Sequence, residues 1–273
     1  MAEHSLGSGH DAVGLLPTAG VALAVIAGVL YLWAVGRPSS NGRRRPGGRT
    51  AAYLGGVALL VLALFTSAGD NDDELSVHIG RHMVLMMAVA PLLVAGEPLR
   101  LLLGALQRER HLALVEVMCD PVVRALTAGR WTGVLLAADY YGSMAVYLHT
   151  PLLRWSSEHM WIHVVSNIYF LLCGWLFWSA LLGRDPAGWQ PSRRAKLVMA
   201  AVGVPFNALL GWSLSWRMPD LGGHGAAEVG TAAWVTGIVG GLLSLAGVLV
   251  VARRPFRGRR KPVHREERWP VVS

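Results

Sequence analysis

Residues 78–98, HIGRHMVLMMAVAPLLVAGEP, are the stretch that decides the fold, because a helix-length apolar run opens here with two histidines four positions apart. Four residues make about one helical turn, so His78, His82 and Met86 are predicted to share one face, with Met83 in the same turns. Imidazole and thioether groups are soft or borderline metal ligands. The stretch therefore predicts both a central helix and a metal site on it.

The chain as a whole is strongly apolar. Of its 273 residues, 53% are hydrophobic and 15% are charged, and the mean hydropathy is +0.42. Such a chain is predicted to be a polytopic helical membrane protein. Cys119 and Cys173 fall in different predicted compartments, so we expect neither a disulfide nor a CxxC metal site. Histidine, methionine and carboxylate remain as the metal ligands to consider.

Seven apolar segments are each long enough to cross the roughly 30 Å hydrocarbon core of a bilayer. We therefore predict an all-α, seven-helix transmembrane bundle over residues 15–252, preceded by a tail at 1–14 and followed by a basic tail at 253–273. The predicted spans, in chain order, are residues 15–35, 51–68, 78–96, 131–149, 158–182, 197–216 and 229–252.

The basic residues predict how these spans are oriented. All but three of the 25 lysines and arginines fall in segments that this arrangement makes cytoplasmic, the exceptions being Arg81, Arg154 and Arg217. Because cytoplasmic loops are enriched in basic residues, the N-terminus is predicted outside and the C-terminus inside. Residues 99–130 mix arginines with apolar residues and are predicted to form a cytoplasmic amphipathic helix at the interface. The net charge of +8 thus reflects topology, and no nucleic-acid partner is expected.

The predicted topology places five histidines at span ends near the outer boundary, where they are predicted to form a metal site. Two HxxxH pairs open the third and fifth spans, and a further histidine closes the fourth. Because each pair projects both rings from one helix face, the five side chains are predicted to converge on one or two ions. Imidazoles suit copper, zinc or haem iron, and nearby thioethers favour Cu(I). The predicted metal ligands are His78, His82, His149, His159, His163, Met83 and Met86.

Other polar side chains inside the predicted spans have open roles. Asp139 lies at mid-span, where a carboxylate is costly and by default marks a functional site. It either relays protons or ions, or pairs with Arg130 or a neighbouring tyrosine. Asn167, one turn below His163, either hydrogen-bonds a metal ligand or packs against another helix. The role of His224, in the last outer loop, is also open.

The histidine motifs resemble those of a known protein family. The run HIGRHMVLMMAVAPLLVAGEP, the HTP at His149 and the pair in EHMWIH are similar to the membrane-integral CtaG-like cytochrome c oxidase assembly factors of Gram-positive bacteria. The resemblance covers about residues 15–252 and includes Gly230 and Trp234. The chain departs from the family where an Asp-Gln pair usually precedes this tryptophan, unless His224 or Glu228 substitutes.

The resemblance implies a multi-pass protein of the bacterial plasma membrane that is needed to mature a haem-copper oxidase and handles copper at the outer face. Oxidase subunits and the lipid bilayer would be its partners, and a metallochaperone of this kind needs no enzymatic activity. Three alternatives remain: a zinc-dependent membrane hydrolase using the histidines with Asp139, a haem protein with His82 and His163 as axial ligands, and a copper permease. The sequence leaves the oligomeric state open.

Overall fold

A computed structural model describes residues 7–37, 47–65, 75–105, 131–182, 191–216 and 225–253, without the side chains of 7–17 and 102–105. The described chain is almost entirely helical and contains no strand. Two single turns of π-helix, π1 and π2, lie within longer helices. The elements in chain order are α1 (Gly7–Gly36), α2 (Gly47–Phe65), α3 (Leu75–Val84), π1 (Leu85–Val89), α4 (Ala90–Ala95), α5 (Pro98–Ala105), α6 (Thr132–His149), α7 (Leu152–Glu158), α8 (Met160–Leu182), α9 (Arg193–Trp216), α10 (Ala226–Trp234), π2 (Val235–Val239) and α11 (Gly240–Ala252).

Six helical stretches of the described chain are long and apolar enough to cross a membrane. They are Thr18–Gly36, Gly47–Phe65, Leu75–Leu101, Met160–Leu182, Arg193–Trp216 and Ala226–Ala252. The all-α, membrane-spanning part of the prediction is therefore confirmed. The predicted fourth span forms α6, which carries Asp139 and three tyrosines and is not among the six. The count of seven spans and the orientation of the termini stay predictions.

Some predicted boundaries differ from the observed ones. Helix α1 begins at Gly7, inside the segment predicted as an outer tail, and α3 begins at Leu75, three residues before the predicted span. Of the predicted amphipathic segment, only the part in α5 is described. Residues 106–130, His224 and the basic tail beyond residue 253 lie outside the described residues.

The Leu75–Leu101 span lies at the centre of the bundle. It is 67% buried, against 50% or less for each of the other five candidate spans. On one side its apolar residues pack with α6, α8, α9, α10 and α11 around aromatic side chains such as Phe170 and Phe177. On the other side they pack with α1 and α2, where Tyr31 and Tyr53 stack at 3.9 Å. Every neighbouring span is thus positioned against this helix.

A wide turn interrupts the central span at π1. The Ala90 N–H bonds to the Leu85 carbonyl, five residues back, instead of to the residue four back. The next residue, Pro91, has no N–H, and its ring would clash with the carbonyl of Met87 in a regular α-helix. A π turn widens the backbone at this point and relieves the clash. Pro91 therefore accounts for the interruption.

Side chains from two neighbouring helices donate hydrogen bonds to the Met86 carbonyl, which this turn leaves without a partner in its own helix. Met86 O accepts hydrogen bonds from Trp178 Nε1 of α8 at 3.2 Å and from the Tyr140 hydroxyl of α6 at 3.5 Å. In a bilayer no water satisfies such a group, so a protein donor must. The wide turn thereby ties α6 and α8 to the central span one turn below His82.

The far end of the same span is held by an ion pair. Glu97 is 5% exposed and has a φ of 55°, in the left-handed region that L side chains rarely adopt. Its carboxylate accepts hydrogen bonds from Arg49 Nη1 at 2.8 Å and Arg100 Nη1 at 3.3 Å. Because α2 begins just before Arg49, the pair joins the start of one span to the end of another.

Arg49→Gln should lower the apparent melting temperature of the protein in detergent. The buried Glu97 carboxylate then loses its shorter ion pair, a loss of about 1–3 kcal/mol in the free energy of unfolding. Arg37→Gln is the matched control, since Arg37 is exposed and lies over the Trp33 ring at 3.9 Å. Equal melting temperatures for the two variants would contradict the stabilising role of the Glu97 pair.

Candidate metal centre

Three buried imidazoles meet where α3 and α8 begin. His78, His82 and His163 are 3%, 0% and 6% exposed, and one candidate ligand nitrogen from each lies within 4.8 Å of the others. The first two are one turn apart on α3 and therefore share a face. The third lies in the first turn of α8. We call these three residues the histidine group.

A tyrosine hydroxyl joins two of these rings into a tight triangle. The Tyr147 hydroxyl, in the last turn of α6, lies 2.7 Å from His78 Nε2 and 2.9 Å from His82 Nε2. The two imidazole nitrogens are 3.2 Å apart. Nitrogens bound at about 2.0 Å to one tetrahedral ion are about 3.3 Å from each other. The two α3 histidines are thus already spaced as a pair of metal ligands.

An arginine contacts the third ring. Arg81, the residue before His82, is 4% exposed, and its Nη1 lies 3.2 Å from His163 Nε2. A guanidinium only donates hydrogen bonds, so His163 Nε2 is the acceptor. The histidine group therefore has a fixed positive charge directly beside one of its nitrogens.

The surroundings of His82 combine an apolar wall with polar atoms that lack partners. The Phe170 ring lies 4.9 Å from the His82 ring and excludes water on that side. His82 Nδ1 and Asn167 Oδ1 are both buried without a hydrogen bond of ordinary geometry, although the two side chains are close enough to interact. An acceptor for Nδ1–H is the usual arrangement behind a metal-bound imidazole, and Asn167 Oδ1 is the buried candidate for it.

Two of the five predicted histidines lie away from this group. His149 is exposed, with Nδ1 3.0 Å from the Ala145 carbonyl and Nε2 3.1 Å from Ser213 Oγ. His159 is also exposed, and its Nδ1 lies 3.2 Å from the Trp155 carbonyl. Their interactions are thus with their own helices and with α9, and neither is brought together with the other three.

The predicted methionine ligands are buried on the central span. Met83 and Met86 are 3% and 4% exposed, and Met86 lies one turn beyond His82 on the same helix. Together with Met87 and Met144 they line a small cavity between α6, α9 and the central span. Four thioethers around one cavity form an environment that favours soft ions such as Cu(I). That Met83 and Met86 bind the metal stays a prediction.

Asp139 of α6 has its partners on α8, away from the histidine group. Its carboxylate accepts hydrogen bonds from the Tyr169 hydroxyl at 2.6 Å and the Cys173 thiol at 3.1 Å. The sequence left open whether this residue is a relay or pairs with a neighbouring tyrosine, and the pairing with a tyrosine is observed. Among the described residues, no aspartate, glutamate or cysteine belongs to the histidine group.

Sequence reasoning missed two residues of the site, Arg81 and Tyr147. A signal existed for the first, because Arg81 lies between His78 and His82 and is one of few basic residues on the predicted outer side. No local pattern singles out Tyr147, which reaches the group only through the packing of α6 against α3.

Comparison with known proteins identifies the family to which the chain belongs. The model of the cytochrome c oxidase caa3 assembly factor family (Caa3_CtaG) matches residues 29–258. An uncharacterized protein of Mycobacterium leprae is 30% identical over 203 residues, which are 71% of this chain and 30% of that protein. Uncharacterized proteins of Mycobacterium bovis and Mycobacterium tuberculosis are each 30% identical over 224 residues, 76% of this chain and 32% of theirs. The chain thus spans about a third of the length of these curated relatives. No solved structure matches it.

Proposed function

Since the chain belongs to the cytochrome c oxidase caa3 assembly factor family and is a multi-pass membrane protein, we propose that it helps to assemble a haem-copper oxidase by binding a copper ion and delivering it to an oxidase subunit. The observation that carries the proposal is the buried group of His78, His82 and His163. Copper is the cargo here, so ligand exchange suffices and no covalent step is needed.

The donor set favours a singly charged ion. All three donors are imidazoles, and within the described ranges no carboxylate or thiolate accompanies them. The desolvation penalty of an ion rises with the square of its charge, so a site without anionic ligands suits Cu(I) better than Cu(II) or Zn(II). Thioethers also prefer Cu(I), and Met86 lies one turn from His82. Monovalent copper is therefore the proposed cargo.

Neighbouring side chains support the role of the histidines as ligands. The 3.2 Å separation of His78 Nε2 and His82 Nε2 needs little adjustment on binding an ion. Asn167 is the acceptor that would orient the His82 ring through Nδ1–H. The Tyr147 hydroxyl, in contact with both nitrogens, would give way to the ion or hydrogen-bond a ligand of it.

The position of the group supports exchange with a partner. His78 and His163 lie within the first turns of their helices, at the end of the bundle that the basic residues predict to be extracytoplasmic. An ion held there is close to the membrane surface rather than sealed at mid-bilayer. An oxidase subunit in the same membrane is the proposed recipient.

Zinc is the competing ion, since three histidines are also the protein ligands of some zinc enzymes. A zinc hydrolase needs a general base beside the metal-bound water. Asp139, the residue considered for that role, is hydrogen-bonded to Tyr169 and Cys173 instead. Parallel titrations with Cu(I) and Zn(II) distinguish the two proposals, and preference for zinc would favour the hydrolase.

A strain that lacks this chain should lose most of its haem-copper oxidase activity when copper is limiting, and added copper should restore part of it. The reason is that a chaperone matters most when the free ion is scarce. Oxygen consumption with an artificial electron donor, together with the copper content of the purified oxidase, measures the effect. Re-expression of the unsubstituted chain is the control, and normal activity under copper limitation would contradict the assembly role.

A further inference from the structure

The contact between Arg81 and His163 has a consequence for metal binding. A guanidinium stays protonated and offers only N–H donors, so at 3.2 Å from Arg81 Nη1 the His163 Nε2 atom accepts with its lone pair. A neutral imidazole has one such lone pair, and the proton therefore resides on Nδ1. The single nitrogen of His163 that is able to bind a metal is the one that already binds Arg81.

We propose that Arg81 is an intramolecular competitor for the metal, which yields His163 Nε2 when an ion binds and takes it back when the ion leaves. The inference rests on the proposed function and assigns to Arg81 the control of affinity at the same site. It is a positioning residue, because it contacts His163 and does not bind the ion.

A competitor of this kind would help the site to release copper to a partner. His78, His82 and His163 are all buried, and a buried set of three imidazoles holds a soft ion tightly. A carrier must also release its cargo. Because Arg81 is equally buried and one residue from His82, it stays within reach of His163 throughout the exchange. Its positive charge also repels the ion at close range.

A purely structural Arg81 predicts the opposite effect of substitution. If Arg81 only holds α3 against α8, its removal loosens the histidine group and weakens copper binding. If it competes for His163, its removal frees the nitrogen and strengthens binding. The sign of the change in affinity therefore separates the two roles.

The test is a titration of the full chain in detergent or nanodiscs with Cu(I) against a colorimetric Cu(I) chelator. Arg81→Gln should bind Cu(I) about tenfold more tightly and release it correspondingly more slowly, as expected for loss of one charge-assisted hydrogen bond. Arg81→Lys, which keeps a cationic donor, should remain near the unsubstituted affinity. Arg154→Gln is the matched control, because Arg154 is 72% exposed and pairs with Glu158.

Weaker or unchanged Cu(I) binding by Arg81→Gln, with copper still bound by the unsubstituted chain, overturns the competitor role and leaves the proposed function intact. Absence of copper binding by the unsubstituted chain overturns both.

Should Arg81→Gln fail to fold, nitrogen NMR of the histidines in the unsubstituted protein tests the competitor role instead. His163, assigned by loss of its signal in His163→Gln, should carry its proton on Nδ1 before Cu(I) is added and shift at Nε2 afterwards. A proton on Nε2 before addition overturns the proposal.

Discussion

In protein carrying His82→Ala, we expect the affinity for Cu(I) to fall at least about a hundredfold. Substitution of residues that only orient a metal ligand already lowers metal affinity by about tenfold to a hundredfold, and loss of a ligand itself should cost more. His82 is fully buried, and its Nε2 contacts both His78 Nε2 and the Tyr147 hydroxyl. It is thus the central donor of the group. Copper content after gel filtration and chelator competition both measure the loss.

The chain offers matched controls for this result. His149 and His159 lie at the same end of the bundle but are exposed and hydrogen-bonded away from the group. His149→Ala and His159→Ala should retain copper at the unsubstituted level. His82→Asn, which fills more of the site than alanine, separates loss of a ligand from loss of packing. Full copper retention by His82→Ala would refute the site.

The central span and its histidine pair were predictable from local rules. A run of apolar residues longer than a bilayer core predicts a span, and a four-residue spacing within one helix predicts a shared face. Both rules hold for His78 and His82, because α3 is regular from Leu75 to Val84. The prediction succeeded where one uninterrupted helix contains both residues.

The same spacing rule did not bring His159 and His163 together, because only the second is inside a helix. His159 has φ −130° and ψ 107°, an extended conformation, and it separates α7 from α8. The spacing fixes a shared face only within one regular helix, and the His159 ring contacts the Trp155 carbonyl of α7 instead. Nothing in EHMWIH marks that break as Gly or Pro would.

A similar geometric reason explains why the sequence pointed to His149 and the structure to Tyr147. Residues two apart on a helix differ by about 200° around its axis. Tyr147 is 3% exposed and faces the bundle, so His149 faces away from it. Choosing between them requires knowing which face of α6 is buried, and α6 has apolar residues all around.

The π turn was also missed, although its cause is in the stretch that decides the fold. Pro91 lies in the middle of the predicted span, and a proline in a helix predicts either a kink or a local change of hydrogen bonding. The outcome depends on which donors surround the interrupted turn. Trp178 and Tyr140 supply them here, and both come from distant parts of the chain. Only tertiary packing decides between the two outcomes.

The close approach of α8 to this turn depends on Gly174. A Cβ at Gly174 would lie 2.7 Å from the Met86 carbonyl oxygen and 2.9 Å from Ala90 Cβ. Both of these atoms belong to the central span, and the nearer one is a backbone atom. Small residues at such crossings allow the tight packing that holds membrane helices together. Gly174 therefore sets the distance between α8, which carries His163, and the span that carries His82.

Gly174→Val should lower the apparent melting temperature and weaken Cu(I) binding together. The added methyl groups push α8 away from π1, at a loss on the order of 3 kcal/mol in stability, and the same movement separates His163 from the two α3 histidines. Thermal unfolding in detergent and chelator competition measure the two effects. Gly142→Val is the matched control: it makes the same change within a helix, and a Cβ at Gly142 meets nothing within 4 Å. Because helix propensity changes equally in both variants, only the crossing at Gly174 accounts for a difference between them. If Gly174→Val were destabilised while its copper affinity stayed unchanged, the spacing of the two helices would not control the site.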